Sequence, residues 1–139
     1  MLLLECDFDS LVDKVLLENL SKSLCDKDIE LLIVDDEEMK RLNLEQREID
    51  KSTDVLSFPL VECDFAPLGS IVINIDRALV VSKNLGHSVE QEVALLFIHG
   101  LLHLLGYDHE NDSGEMREKE EEIIKKFDLP QSLIVRTQI

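Results

Sequence analysis

Hydrophobic positions along this chain follow two periods, one typical of strands and one typical of helices. Four short apolar runs, bounded by polar or turn-forming residues, predict β-strands. They lie at Leu2–Cys6, Ile29–Val34, 54–59 and 70–75. The third run ends in Pro59, whose nitrogen has no proton to donate to a neighbouring strand, so we expect this strand at an edge of the sheet.

Apolar residues three and four positions apart predict five helices. The predicted helices cover residues 10–24, 36–42, 76–84, 88–105 and 113–127. We expect Asp76 and Ser88 to cap two of them, because short polar side chains accept hydrogen bonds from the amides of a first turn. Asp9 or Ser10 is expected to cap the first helix, and the polar stretch 43–53 is interpreted as a loop.

Together these elements predict an α+β fold, with one small mixed β-sheet and helices packed on it. The chain of 139 residues contains no repeat, no low-complexity tract and no linker, which indicates a single domain over residues 1–139. Hydrophobic residues make up 45% of it, which is enough for a core without disulfide bonds.

The charge balance is strongly acidic, with 30 acidic and 14 basic residues and a formal net charge of −16. This argues against a protein that coats nucleic acid, because such proteins present a basic surface. A small basic site stays open, since charges beyond about 8 Å are largely screened. Three widely spaced cysteines favour free thiols, and no apolar run approaches the ~20 residues that span a bilayer. We therefore predict a cytoplasmic protein without a membrane partner.

The predicted helix over residues 88–105 is apolar on most of its circumference, which is typical of a buried helix. His99 and His103 are its polar exceptions. A spacing of four residues places them on one helix face, about 6 Å apart along the axis. A buried imidazole without a partner costs roughly 1–3 kcal/mol. One metal ion bound by both rings would explain why two imidazoles are buried on the same helix face.

A third histidine follows this helix. Gly106 is placed to end the helix in the left-handed conformation, so the chain can reverse and bring His109 to the other two rings. Three imidazoles with a fourth position open are typical of a catalytic zinc ion. We predict one zinc ion per chain, held by His99, His103 and His109. Nickel and iron remain alternatives, because imidazole binds them as well; His87 is interpreted as an ordinary loop histidine.

Gly100 distinguishes this motif from that of the zinc peptidases. The histidine spacing resembles the motif His-Glu-x-x-His, in which the residue after the first histidine is the glutamate that acts as general base. A glycine stands there instead, at a cost of about 1 kcal/mol relative to alanine in a helix. We interpret Gly100 as leaving room beside the metal for something bulky and as removing the base that a peptidase needs.

The segment from His99 to His109 resembles the signature of the YbeY family of bacterial endoribonucleases. A second block agrees with the family and consists of Leu42, Asn43, Arg47, Asp50 and the segment 53–59. Gly69 agrees as well, but the family usually has an acid at the next position, where this chain has Ser70. The resemblance extends roughly from residue 30 to residue 127.

This resemblance implies a zincin-like metal helix, zinc bound by the three histidines, and cleavage of single-stranded RNA. It further implies maturation of the 3′ end of the small-subunit ribosomal RNA and ribosome quality control, with the ribosome or ribosomal proteins as partners. The family's arginine falls on Arg47. We expect it to contact an RNA phosphate and to offset charge in the transition state.

Two further residues are candidates for the site. Ser57 points to the opposite face of its strand from Phe58, so Ser57 is expected to line the substrate cleft and Phe58 to pack in the core. Asp108 adjoins a predicted ligand and is expected to orient it, with a role as general base as the alternative. The acidic run 110–122 is interpreted as a solvated helix face.

Two other functions stay open at this point. The histidine spacing suggests a zinc peptidase, although Gly100 disfavours it. The net charge of −16 suggests a non-catalytic ribosome-assembly factor with a structural metal, because such a protein would reach RNA through a protein partner.

Overall fold

A computed structural model of the chain describes residues 2–6, 9–59, 68–108 and 111–130. Within these residues four strands form one mixed sheet: β1 (Leu2–Cys6), β2 (Ile29–Val34), β3 (Val55–Pro59) and β4 (Gly69–Asn74). Their order is β1-β2-β4-β3. β1 and β2 are parallel, as are β2 and β4, whereas β3 is antiparallel to β4 and lies at an edge. The edge position predicted from Pro59 is confirmed.

Alternation along the strands directs apolar side chains to two cores of unequal size. β2 contributes Ile29, Leu31 and Ile33 to the larger core. Leu32 and Val34 of the same strand pack against a smaller cluster on the other face. The buried members of that cluster are Met39, Leu56 and Val72.

The pairing of β3 decides which of its side chains faces which core. Ser57 pairs with Ile71 of β4, whose side chain belongs to the larger core. Ser57 therefore faces that core, and its neighbour Phe58 packs against the smaller cluster. The sequence assignment of Phe58 to core packing is confirmed at the edge of this cluster.

Five α-helices complete the described fold: α1 (Lys14–Leu24), α2 (Asp36–Arg47), α3 (Ile75–Leu85), α4 (Val89–Leu104) and α5 (Glu115–Phe127). α4 packs against β3 and β4 and is contacted by α1, α3 and α5. Eleven of its 16 residues are buried, which confirms the predicted buried helix. Ser88 caps it as expected, in a capping box with Gln91 that contains two hydrogen bonds of 3.1 Å.

Two helix starts differ from the sequence prediction. The first helix begins at Lys14 rather than at residue 10, because Asp13 caps it by accepting a 3.1 Å hydrogen bond from the amide of Leu16. A short 3-10 turn (Asp9–Leu11) precedes it. α3 is capped by the fully buried Asn74 rather than by Asp76, since the Asn74 side chain accepts from the first amides of that helix.

The largest error concerns α2, which runs to Arg47, so residues 43–47 are helical and not a loop. The sequence of α2 is mostly polar, and only a narrow face of the helix is buried. Met39 and Asn43, four residues apart, are both buried, and the Asn43 amide donates a 2.7 Å hydrogen bond to the carbonyl of Lys51. Arg47 therefore lies in the last helical turn, where the helix dipole favours a cation.

The described residues form one α+β domain with a mixed sheet, which confirms the predicted fold class. None of the described helices is long and apolar enough to cross a membrane. Cys25 is a free thiol, and Cys63 lies outside the described residues.

Candidate metal centre

His99 and His103 direct the same ring atom toward one point. Their Nε2 atoms lie 3.2 Å apart. The ring centroids are 4.7 Å apart, and the ring planes are at 80° to each other. The spacing of four residues in α4 places both side chains on one helix face, as the sequence predicts.

The other nitrogen of each ring, Nδ1, faces a hydrogen-bond acceptor. Nδ1 of His103 lies 3.1 Å from the backbone carbonyl of Tyr107, which can only accept, so this nitrogen carries the proton. Nδ1 of His99 lies 3.3 Å from Oε2 of Glu120. When both rings are neutral, their Nε2 atoms therefore carry lone pairs that face each other.

The distance between the two Nε2 atoms fits a shared zinc ion. Two lone pairs 3.2 Å apart are stabilised only when a cation or a proton lies near both. A tetrahedral zinc ion holds imidazole nitrogens at about 2.0–2.1 Å, which separates two such nitrogens by roughly 3.3 Å. Histidine ligands of metals also commonly donate their other N–H to a carboxylate or a carbonyl. Both rings meet these requirements.

The turn after α4 creates the acceptor that orients His103. Gly106 has φ +99°, in the region that favours glycine, as predicted. Its amide donates to the carbonyl of His103 at 3.1 Å, and the amide of Tyr107 donates to that of Leu102 at 3.0 Å. This reversal brings the Tyr107 carbonyl next to the His103 ring.

The third predicted ligand, His109, lies outside the described residues. Among those that are described, no group of three His, Cys, Asp or Glu side chains is arranged to hold a metal ion. The structure thus brings together two of the three predicted ligands, and the complete three-histidine site stays a prediction.

Gly100 faces the sheet, so the interpretation that it leaves room beside the metal is wrong. A Cβ atom at this position would lie 3.0 Å from Ile71 Cγ2, 3.0 Å from Ser57 Oγ and 3.3 Å from Val55 Cγ2. The space is already occupied by β3 and β4. The glycine is therefore explained by the close approach of a helix to a sheet.

Ser57 connects the edge strand to this helix. Its hydroxyl donates a 2.9 Å hydrogen bond to the backbone carbonyl of Gly100, next to His99. The bond uses the single hydroxyl proton and leaves the oxygen able to accept from another group. The predicted contact of Ser57 with substrate is not tested by this geometry.

Arg47 contacts β3 from the face that carries the Phe58 side chain, opposite to the Ser57 side chain. Its Nη2 donates to the carbonyl of Ser57 at 3.4 Å, and its guanidinium carbon is 5.8 Å from the centroid of the Phe58 ring. Arg47 is exposed. The structure thus brings Arg47 to β3, and Ser57 links this strand to the helix that carries His99 and His103.

Asp108 is exposed in the turn that follows α4. Its carboxylate accepts a hydrogen bond from the side chain of Asn111, and its carbonyl accepts from the amides of Asn111 and Asp112. These bonds organise the turn between α4 and α5. The roles predicted for Asp108, as orienter or as general base, stay predictions.

Glu120 is the residue at the site that sequence reasoning missed. It belongs to the acidic run interpreted as a solvated helix face, yet it is only 1% exposed and bonded to His99. The signal available in the sequence is its spacing, because Glu120 lies four residues after the buried Met116 and three before the buried Ile123. It therefore falls on the apolar face of α5.

A second buried carboxylate pairs with His87, which lies in the loop between α3 and α4 as predicted. Nε2 of His87 lies 2.9 Å from Oε1 of Glu92, and the two side chains are 10% and 2% exposed. His87 is thus part of the packing between the α3–α4 turn and the first turns of α4. The pairing with Glu92 and the low exposure of its side chain are features that the sequence did not indicate.

Ser70, which stands where the family usually has an acid, is paired with a carboxylate from the neighbouring strand. Its hydroxyl donates to Oε2 of Glu30 at 2.9 Å, and the two residues are register partners on β4 and β2. A carboxylate is therefore present on this face of the sheet, although it comes from a different residue.

Comparison with known proteins identifies a family that this chain matches over most of its length. The family model described as "Endoribonuclease YbeY" matches residues 4–128. Proteins named "Endoribonuclease YbeY" from Nitratiruptor sp. and Campylobacter jejuni are each 59% identical; the matches cover 96% of this chain and 92% and 93% of those proteins. The relative of that name from Helicobacter pylori is 57% identical over 91% of this chain and 90% of its own.

A solved structure supports the fold independently. The solution structure of a protein from Thermotoga maritima is 31% identical and covers 91% of this chain and 89% of its own, with a TM-score of 0.65. The two sequence blocks that resemble YbeY proteins therefore lie within a match that extends over nearly the whole chain. The protein belongs to the YbeY family of endoribonucleases.

Proposed function

We propose that this protein is an endoribonuclease that cleaves single-stranded RNA with one bound zinc ion. The observation that carries the proposal is the 3.2 Å approach of the His99 and His103 Nε2 atoms on a buried helix. Membership of the YbeY family supports the ribonuclease activity. His109, three residues beyond Gly106, is the proposed third ligand.

The proposed substrate is the 3′ end of the small-subunit ribosomal RNA, and the proposed setting is ribosome maturation and quality control in the cytoplasm. Ribosomal proteins are the proposed protein partners. The net charge of −16 supports binding of RNA through a local site or a protein partner, because the surface as a whole is not basic.

The protein's contribution to the metal centre is to orient the two rings. The Tyr107 carbonyl and the Glu120 carboxylate accept from Nδ1 of His103 and His99, so both Nε2 lone pairs are held toward one position. When bound, zinc would supply Lewis acidity toward a phosphoryl oxygen and would lower the pKa of a water molecule. The burial of α4 excludes bulk water from one side of this position.

Arg47 is the proposed phosphate-binding residue. A guanidinium carries five N–H donors in a planar fork that fits two phosphate oxygens. Only one of them is directed at the Ser57 carbonyl, at the long distance of 3.4 Å. This bond and the Phe58 ring hold the side chain beside β3, so that its charge can offset the charge that develops on a phosphodiester.

The proposal is tested by incubating the purified protein with a labelled single-stranded ribosomal RNA fragment and with its duplex form. We expect cleavage of the single strand alone, loss of cleavage with a chelator, and loss in the variants H99A and R47A. R41A is the matched control, because Arg41 is an exposed arginine on the same helix that pairs with Glu38 and Glu45. Wild-type cleavage by H99A would show that the activity does not depend on His99 and would contradict the proposal.

A further inference from the structure

The buried face of α5 carries one carboxylate. Glu120 is 1% exposed, whereas Glu118 and Glu122 on either side of it are exposed. Transfer of a carboxylate out of water is costly unless hydrogen bonds or charges compensate it. A functional or structural partner must therefore account for this position.

That partner includes His99. Oε2 of Glu120 lies 3.3 Å from Nδ1 of His99, a residue 21 positions earlier on the adjacent helix. The His99 side chain is itself only 12% exposed. Its other nitrogen, Nε2, lies 3.2 Å from Nε2 of His103. Glu120 therefore contacts the edge of the ring opposite to the point where the two histidines converge.

The two histidines differ in how they are oriented. His103 donates to a backbone carbonyl supplied by its own turn, that of Tyr107, and this acceptor cannot be lost without unfolding the turn. His99 has a side-chain acceptor from a separate helix. The orientation of His99 thus depends on α5, whereas the orientation of His103 is local to α4.

We propose that Glu120 is a positioning residue that fixes the ring and the tautomer of His99 for metal binding. Its carboxylate accepts a hydrogen bond from Nδ1–H of His99 and so directs the Nε2 lone pair toward His103. Carboxylates in this relation to a histidine ligand typically raise the affinity for the metal by 10–100-fold. The inference rests on the proposed function only in taking His99 as a metal ligand, because Glu120 acts through His99 and does not touch the RNA.

The test compares E120L, which removes the acceptor, with E120Q, whose amide oxygen still accepts a hydrogen bond. Zinc affinity is measured by competition with a chelator of known affinity. We expect binding about 10–100-fold weaker in E120L and a clearly smaller loss in E120Q. E120D keeps the charge but shortens the reach by one methylene group. It is the second variant if E120L does not fold, and we expect it to bind zinc measurably more weakly than the wild type.

A control variant and a second readout distinguish the proposed positioning role of Glu120 from a purely structural role. I123A removes a neighbouring buried side chain of α5 and weakens the packing of that helix without touching the acceptor. In the metal-free protein, ¹⁵N NMR reports which ring nitrogen of His99 carries the proton. We expect Nδ1 to be protonated in the wild type and in I123A, with a shift toward Nε2 in E120L.

Two results would overturn the proposal. One is wild-type zinc affinity in E120L with an unchanged His99 tautomer. The other is an equal loss of zinc affinity in I123A when its thermal stability matches that of E120L. RNA cleavage is not a readout here, so a protein that binds zinc but does not cleave RNA would contradict the proposed function and leave the role of Glu120 intact.

Discussion

The hydroxyl of Ser57 donates a 2.9 Å hydrogen bond to the backbone carbonyl of Gly100 and ties the edge strand β3 to the helix that carries the two histidines. The contact requires the strand to lie so close that a Cβ atom on Gly100 would be 3.0 Å from the same hydroxyl oxygen. The position that holds the general base in the peptidase motif is therefore enclosed by the sheet. This packing argues against the peptidase alternative more directly than the missing glutamate does.

The first prediction concerns Gly100. In an unobstructed helix, G100A would stabilise the protein by about 1 kcal/mol. Here the added methyl group must displace Ile71 and Ser57, and overpacking of this kind costs about 1–3 kcal/mol. We expect a net destabilisation of about 1 kcal/mol, measured by chemical denaturation.

A double-mutant cycle identifies the cause of that loss. S57A removes the hydroxyl oxygen that the new methyl group would meet, so G100A should cost less in the S57A background than in the wild type. If G100A stabilises the protein as it would in an open helix, the close packing described for β3 and α4 is not present in solution.

The second prediction concerns the guanidinium of Arg47. R47K keeps a positive charge but cannot bind a phosphate through two parallel hydrogen bonds. Loss of a hydrogen bond to a charged group costs about 1.5–3 kcal/mol, so RNA cleavage should fall roughly 10–100-fold while zinc content is unchanged. R41A should retain wild-type cleavage. Full activity in R47K would show that Arg47 contributes only its charge.

The third prediction concerns Asn74, which holds the segment leading into β3. Its amide nitrogen lies 2.8 Å from Asp36 Oδ1, 3.0 Å from Ser52 Oγ and 3.1 Å from the Thr53 carbonyl, and its oxygen caps α3. Because Asn74 is fully buried, N74A leaves several polar groups without a partner.

We expect N74A to lower the free energy of unfolding by about 2–4 kcal/mol, as measured by thermal and chemical denaturation. N84A is the control, since Asn84 is an exposed asparagine on α3, the helix that Asn74 caps, and should cost less than about 0.5 kcal/mol. Equal effects of the two variants would contradict a special role for the Asn74 network.

The fourth prediction concerns pH. The hydrogen bond from Ser52 to Asp36, followed by that from Asn74, lowers the pKa of the Asp36 carboxyl from its ordinary value of 3.8. A carboxyl with a lowered pKa in the folded state stabilises the protein above the pKa of the unfolded chain. This contribution is lost as the pH falls through the folded pKa. We therefore expect S52A to destabilise the protein at pH 6 and to have a smaller effect near pH 2.

NMR titration provides the direct measurement. In S52A the pKa of Asp36 should move up toward its ordinary value, because the Ser52 hydroxyl donates a 2.6 Å hydrogen bond to the charged form. A destabilisation by S52A that is the same at pH 2 and pH 6 would contradict this linkage.

Much of the fold follows from local pattern. The four strands are predictable because their apolar runs alternate between two cores, and α4 is predictable because it is apolar all round. α2 is not, since its buried face consists of Met39 and the polar Asn43. Whether a polar side chain can be buried depends on its hydrogen-bond partner. The partner of Asn43 is the backbone carbonyl of Lys51, eight residues later.

The candidate metal centre is likewise predictable from the sequence only in part. The pairing of His99 with His103 follows from their spacing on one helix. The roles of Gly100 and Glu120 do not, because each is set by an element distant in sequence: β3 contacts Gly100, and α5 carries the acid that orients His99. The spacing of Glu120 from Met116 and Ile123 places it on the apolar face of α5, but only the packing of α5 shows that its carboxylate meets His99.

The proposed metal centre requires His99 and His103 to share one zinc ion through their Nε2 atoms. It is tested most directly by a crystal structure of the zinc-loaded protein with anomalous diffraction recorded at the zinc edge. We expect one strong peak about 2.0–2.1 Å from both Nε2 atoms, with His109 as the third ligand. Zinc bound elsewhere, or bound through Nδ1 of either ring, would contradict it.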